Sequence, residues 1–394
     1  MDMTIRGQEL PPRVVVALDK FKGSLRAADA VDAVARGILR ASPIAVVDRA
    51  PVADGGDGTV DAAVSAGFTA HHIHVSGPRG AAVRATVALR DGVAVIEVAN
   101  TSGLELMRPE GLDALGAHSY AVGEAIRATL DLGAQQIVVG LGGSASTDGG
   151  SGMLRALGAR FLDEHDDELP LGGRGLDRLW RVDLSGLDDR IPRTHFVMAS
   201  DVDNPLLGAA GSAAVFAPQK GADPAAVSLL ERALGRFAEV TAGVVGQRFE
   251  REPGTGAAGG IGFAGLAYLG ATMDSGARIV LDLLGLRQTL GGADLVVTGE
   301  GKLDEQSLNG KAPLAVANAA SALGIPVVAI VGLISLGAER AAASGFDAVY
   351  ELLAEEPDVS VCMRDTARLL STMGETLVRD GWVKRGVGEG KPPV

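Results

Sequence analysis

A single cysteine, Cys362, stands among 394 residues, so no disulfide can close within the chain and a reducing compartment suits it. Aromatic side chains are scarce, nine Phe, three Tyr and two Trp, which leaves little surface for stacking nucleobases. Basic residues are outnumbered, 36 Lys and Arg against 49 Asp and Glu, and no basic stripe relieves the net charge of −13. A nucleic-acid partner is therefore not expected. The longest apolar run, Ile325 to Ile334, reaches only about half a membrane span. The opening stretch, MDMTIRGQELPPR, lacks the apolar core of a secretory signal. A cytoplasmic protein with small-molecule partners and no membrane contact is expected; the oligomeric state is not legible.

Glycine is the opposite case. There are 55, roughly double the usual ~7%, without the strict period of a collagen. They cluster in short loops after apolar runs, where glycine lets backbone approach a ligand closely. Hydrophobic residues at 47% and charged residues at 22% are those of a folded chain, which excludes disorder as the dominant state.

The runs themselves alternate in a βα rhythm at both ends of the chain. Val14–Leu18 reads as a buried strand, followed by the loop DKFKGS at 19–24, with Ser24 placed to cap a helix to Ala41. Ile44–Val47 reads as the next strand and PVADGGDGT at 51–59 as the next loop. Strands then follow at 73–75, 82–89 and 93–98. A helix at about 118–132 and a strand at 137–141 lead into GLGGSASTDGGSG at 140–152. Residues 163–193 read as a polar surface excursion, and a strand at 195–199 delivers SDVDNPLLG at 200–208. A long helix near 223–245 and a glycine loop at 254–262 precede a second βα series from about 293, whose first loop is GEGKLDEQSLNGKAP at 299–313. A final helix is expected near 359–380, and the last ten residues read as disordered. The two end segments together supply about five strands. The expected architecture is α/β with a discontinuous Rossmann-like parallel-sheet domain, 1–76 plus 290–394, and an inserted mixed-sheet α/β domain, 77–289.

Five polar loops follow strands, the place where open parallel sheets bind ligands. In the first, Lys20, Lys22 and Ser24 sit at a helix N-terminus and suit an anion, although solvated lysines on an ordinary turn have the same pattern. In the second, Asp54 and Asp57 flank two glycines and suit Mg²⁺, or else cap their own turn. The third offers Gly142, Gly143, Ser144 and Ser146, with Thr147 and Asp148, as a phosphate cradle that is not a Walker A loop. The fourth offers Asp201, Asp203 and Asn204, the fifth Glu300, Lys302, Asp304 and Lys311. Together they suggest Mg²⁺-assisted phosphate chemistry. His71, His72 and His74 lack further ligands for a metal and read as an exposed strand end. Cys362 reads as packing, and the 254–262 loop lacks the preceding strand of a dinucleotide fingerprint.

DKFKGSL at 19–25, PVADGGDGT at 51–59, GLGGSASTDGGSGML at 140–154, SDVDNPL at 200–206 and TGEGKLDEQS at 298–307 occur in this order. Together they resemble the glycerate kinase family of the bacterial class I type, over roughly residues 13–380. The resemblance implies ATP- and Mg²⁺-dependent phosphorylation of D-glycerate, usually at the 2-hydroxyl, by two α/β domains with the active site in the cleft between them. Lys20 and Asp57 depart from the Ser and Glu of many relatives. The match favours Lys22, Asp54, Ser144, Asp201, Glu300 and Asp304 as cleft residues. Lys22 and Lys20 would neutralise a phosphoryl group or the glycerate carboxylate. Asp54 would hold Mg²⁺ with Asp57 or take the hydroxyl proton, and Lys22, Asp54 and Asp201 are the candidate catalytic residues. Gly142, Gly143, Ser144, Ser146, Ser24, Asn204, Lys302 and Asp304 would bind phosphate or substrate. Asp201, Asp203 and Glu300 are further candidates for metal or base. A kinase of another small hydroxy acid, or a two-lobed metabolite sensor, is the alternative.

Overall fold

The computed structural model describes residues 10–107, 111–305, 307, 311–336, 340 and 345–383; the expected disorder of the last ten residues lies outside them. The chain divides into two compact units. One runs to Ala53 and resumes at Leu281, and the other is Asp54–Val280.

The first unit carries a five-stranded parallel sheet. Its spatial order is Ala348–Glu351, Val327–Val331, Leu295–Gly299, Arg13–Leu18, Val46–Arg49. Numbered along the chain this is 2-1-3-4-5, a doubly wound order. The central strands RVVVAL, LVVTG and VVAIV are almost wholly buried, as continuous β-branched runs between helix layers should be. Helices Ala27–Ala41 and Thr366–Arg379 pack together through Val31, Val34, Ile38, Leu370, Met373 and Leu377. The strand order reverses between Arg13–Leu18 and Leu295–Gly299, so the loops leaving these strands open at the switch point. Ser24 does not cap the first helix. That helix begins at Ala27 with Arg26 at its N-cap and no side-chain cap bond. The Ser24 hydroxyl instead meets Met363 O and Thr366 Oγ1, each at 2.5 Å, at the other end of the unit's chain. The expected terminal helix is broken at Asp365 into Val359–Arg364 and Thr366–Arg379.

The second unit is built on a six-stranded mixed sheet in the order Thr272–Asp274, His195–Ala199, Gln136–Gly140, Val93–Glu97, Ala82–Arg90, Thr69–Ser76. The first four strands are parallel, and Ala82–Arg90 pairs antiparallel with both Val93–Glu97 and Thr69–Ser76. Thr69–Ser76 pairs along its full length with Ala82–Leu89, which draws residues 54–76 into this unit rather than the first, where the sequence pattern had put them. The stretch 163–193 is less superficial than its polarity suggests. Leu169, Leu176, Leu179, Val182 and Ile191 are buried in the same core as Phe161, Phe196 and Phe237. A polar average hid five apolar anchors. The helix Pro224–Val245 starts as its sequence dictates, with Asp223 accepting from the Ala226 N–H at 2.7 Å and Pro224 at the first helical position.

The buried side chain of Glu97, at the end of its strand, fixes the entry to the short helix Thr59–Ser65. Its Oε2 accepts from the N–H groups of Thr59 at 2.9 Å and Val60 at 3.4 Å, and its Oε1 from Asn100 Nδ2 at 3.2 Å. Burial first, then the Asp57 charge, pushes its pKa up from 4.5 to about 7 against those helix N–H groups. Between these two pH values the folded chain keeps a proton that the unfolded chain has released, so stability falls as pH rises through the window. Glu97→Gln is therefore expected to be more stable than the parent at pH 8, by at most about 3 kcal/mol, and indistinguishable near pH 4. Denaturant melts at the two pH values check this, and a parent at least as stable at pH 8 would contradict it.

Candidate active-site loops

In the first unit, two loops leave the switch point side by side. The Asp19 N–H donates to Gly299 O at 2.9 Å. The buried Asp19 carboxylate accepts from the Lys20 N–H at 2.6 Å and lies 3.6 Å from Lys20 Nζ. Phe21 is buried and exchanges backbone hydrogen bonds with Leu25, at 2.8 and 2.9 Å, so the loop closes on itself and presents Lys22 and Gly23 at its exposed tip. Lys22 has no acidic partner among the described residues. Lys302 does: its Nζ is 3.4 Å from Asp304 Oδ2. Asp304 is held in turn by the buried Ser307, whose Oγ accepts from the Asp304 N–H at 3.1 Å. Glu300 is buried directly after the strand. Gly301 packs closely on the first loop, since a Cβ there would lie 3.2 Å from both Lys22 N and Phe21 Cα. Lys311 precedes the helix Ala312–Ser321 as its N-cap residue.

In the second unit, three backbones meet without side chains between them. A Cβ on Gly142 would lie 2.5 Å from Gly56 Cα, and one on Gly276 would lie 2.2 Å from Asp54 O. Glycine is thereby required where the Asp54 turn, the 140–143 loop and the turn after Thr272–Asp274 touch. The result is a cluster of carboxylates at the carboxyl ends of parallel strands. Asp54 Oδ1 accepts from the Gly56 N–H at 3.2 Å. Asp201 Oδ1 accepts from Ser275 Oγ and the Gly276 N–H, both at 2.9 Å. Asp201 Oδ2 is buried and has no hydrogen-bond partner among the described residues. Burial raises the Asp201 pKa to about 6, and the neighbouring Asp54 charge adds to the rise. Such a carboxylate is poised to take a proton or a cation near neutral pH.

Asp57 and Asp203 are exposed, and no group of three or more His, Cys, Asp or Glu side chains among the described residues is arranged to hold a metal ion. Asn204 donates from Nδ2 to Ala210 O at 2.8 Å, and its backbone carbonyl accepts from the Gly256 N–H at 2.9 Å, so it anchors its loop. His72 pairs with Thr86 across the exposed hairpin, as expected of a strand position.

The serine turn is tightly organised. Ala145 N–H donates to Ser102 O at 2.9 Å, and Gly143 O accepts from Leu104 N–H at 2.8 Å. Ser144 Oγ accepts from the Ser146 N–H at 3.1 Å and lies 3.1 Å from Ser146 Oγ. Asp148, wholly buried, binds the Ser119, Gly150 and Gly152 N–H groups and the Ser119 hydroxyl. Lys220, only 2% exposed, donates its Nζ to Ser146 O. Burial lowers its pKa to about 7, against the attraction of Asp148. Ser275, Gly276 and Lys220 gave no signal in the sequence: the strand before Ser275 is three residues long, and Lys220 is a lone lysine ending the single 3-10 turn Pro218–Lys220.

The chain as a whole matches known proteins. The glycerate kinase family profile matches residues 14–381. A glycerate kinase of Bacillus subtilis strain 168 is 41% identical over 86% of this chain and 90% of its own length. A glycerate 2-kinase of Escherichia coli strain K12 is also 41% identical, with the same coverage of 86% and 90%. A crystal structure from Salmonella typhimurium LT2, whose protein carries the name glycerate kinase 2 as a provisional assignment, superposes with a TM-score of 0.82 at 38% identity, covering 94% of this chain and 98% of that one. Sequence and fold agree along nearly the whole length, and this chain, a kinase, belongs to the glycerate kinase family.

Proposed function

We propose that this chain transfers the terminal phosphoryl group of ATP to the 2-hydroxyl of D-glycerate with Mg²⁺. The observation that carries the proposal is Asp201 Oδ2, a buried carboxylate oxygen with no partner, beside a second carboxylate at the carboxyl ends of parallel strands. The 2-hydroxyl as acceptor is supported by the name of the Escherichia coli relative. A sensor without catalysis is disfavoured by membership of a kinase family.

Asp201 is the base. Its Oδ1 is held by Ser275 and Gly276, which leaves Oδ2 to accept the hydroxyl proton as the oxygen attacks phosphorus. Asp54 fits Mg²⁺, which commonly takes one or two protein carboxylates and fills its remaining positions with water and phosphate oxygens. When bound, the ion offsets charge on the phosphates. Lys22, exposed at the tip of its loop in a chain of net charge −13, supplies the cation for the transferring group. Lys20 and Lys302 are already beside Asp19 and Asp304 and contribute less charge. Ser144, Ser146 and the Gly142–Gly143 backbone bind the oxygens of one substrate.

A coupled ADP-release assay with D-glycerate, with the product identified by its phosphorus–proton coupling, tests the reaction. Glycerate-independent ADP release, or 3-phosphoglycerate as product, would refute it. Asp201→Asn is expected to lower kcat at least about 100-fold with no loss in melting temperature, because it removes a buried charge without removing volume. Asp54→Asn should shift the Mg²⁺ requirement upward and recover part of its activity at high Mg²⁺, whereas Asp201→Asn should not recover. Full activity of either variant at ordinary Mg²⁺ would remove that residue from the mechanism. Lys22→Ala should fold normally and lose about 10²–10³-fold in kcat/KM, the scale of one preorganised charge donor. A loss below threefold would leave Lys22 a solvated surface lysine.

A further inference from the structure

Lys220 is the one lysine or arginine that is buried among the described residues. Burying an ammonium group costs several kcal/mol, and this one makes a single hydrogen bond, to Ser146 O. The same carbonyl oxygen also lies 3.3 Å from Ser144 Oγ. Gly259 presses on it from another side, since a Cβ there would fall 1.9 Å from Ser146 O. The direction of the Ser146 carbonyl is therefore held by Lys220, Ser144 and the Gly259 backbone together. A trans peptide is planar, with its C=O and N–H antiparallel. Turning the Ser146 carbonyl toward Lys220 turns the Thr147 N–H the opposite way. Thr147 Oγ1 is buried and has no hydrogen-bond partner. The Ala145 and Ser146 N–H groups are already used, on Ser102 O and Ser144 Oγ, so the donors the turn has left for an anionic oxygen are those of Thr147.

We propose that Lys220 is a positioning residue: by holding the Ser146 carbonyl inward it aims the donors of Thr147, at the end of the serine turn, at a carboxylate or phosphate oxygen of the substrate. This rests on the proposal that the serine turn binds substrate. Lys220 itself touches no reacting atom. Its removal should weaken the binding of one substrate and leave the chemical step and the other substrate nearly unaffected.

Steady-state kinetics of Ser144→Ala, Lys220→Met and Lys220→Gln, with separate KM values for D-glycerate and ATP, test this. Ser144→Ala should raise one of the two KM values and so identify the substrate that the turn holds. Lys220→Met, which keeps the buried volume, should raise that same KM about tenfold, with kcat and the other KM within about threefold and the melting temperature unchanged or higher. Lys220→Gln, one atom shorter yet still a donor, should raise it about threefold. Wild-type KM values in both Lys220 variants, with Ser144→Ala still impaired, overturn the role of Lys220 alone. Unaltered KM values in Ser144→Ala overturn the substrate role of the turn. If Lys220→Met does not fold, Lys220→Gln decides. A lower melting temperature with no selective rise in KM would make Lys220 a packing residue and end the proposal.

Discussion

Four donors converge on the buried carboxylate of Asp148: the N–H and hydroxyl of Ser119 and the N–H groups of Gly150 and Gly152. Ser119 Oγ also accepts from the Met153 N–H at 2.9 Å. One side chain thereby ties the start of the helix Tyr120–Asp131 to the start of Ser151–Ala156. A buried carboxylate is tolerable only when its oxygens are satisfied in this way. The serine turn lies directly before Asp148, and Lys220 lies on the other side of that turn, attracted by the same charge. Remove the carboxylate and the buried ammonium loses its countercharge, while three backbone N–H groups lose their acceptor. Asp148 is the member on which the rest of this polar network depends.

Above that network the chain uses glycine for proximity. At Gly142 and Gly276 the neighbouring backbone leaves no room for a Cβ. Each side chain omitted brings two strand ends closer, and this closeness sets Asp54 beside Asp201 strongly enough to perturb its protonation. The entropy that glycine forfeits on folding is offset locally by hydrogen bonds such as that of Gly276 to Asp201. The first unit repeats the device at Gly301, packed on the backbone of the Lys22 loop.

Much of this was legible in the residues. Buried parallel strands announce themselves as β-branched runs, and Arg13–Leu18, Leu295–Gly299 and Val327–Val331 needed little else. The positions of the loops that follow them were legible because glycine and aspartate, the favoured turn residues, cluster where the apolar runs end. What could not be read depended on distant partners. Ser24 has the composition of a helix cap, yet Met363 and Thr366 claim its hydroxyl. The boundary at Ala53 was missed because the pairing of Thr69–Ser76 with Ala82–Leu89 is invisible until both strands are placed. Asp57 and Asp203 looked like Asp54 and Asp201 on paper, and only burial separates the two pairs.

The central strand of the first sheet, Arg13–Leu18, is hydrogen-bonded to Leu295–Gly299, and Thr298 Oγ1 reaches Ala17 O across 281 residues of sequence. A ribosome delivers the earlier strand long before its neighbour exists. Throughout that interval a ribbon of valines has Val46–Arg49 on one side and nothing on the other. The inserted unit, whose sheet draws only on residues 69–274, can meanwhile complete its own core. Synthesis order and folding order therefore run opposite ways at the N-terminus: the first strand made is among the last to find both neighbours. Until then it is an unpaired apolar edge of the kind that chaperones bind and aggregates recruit.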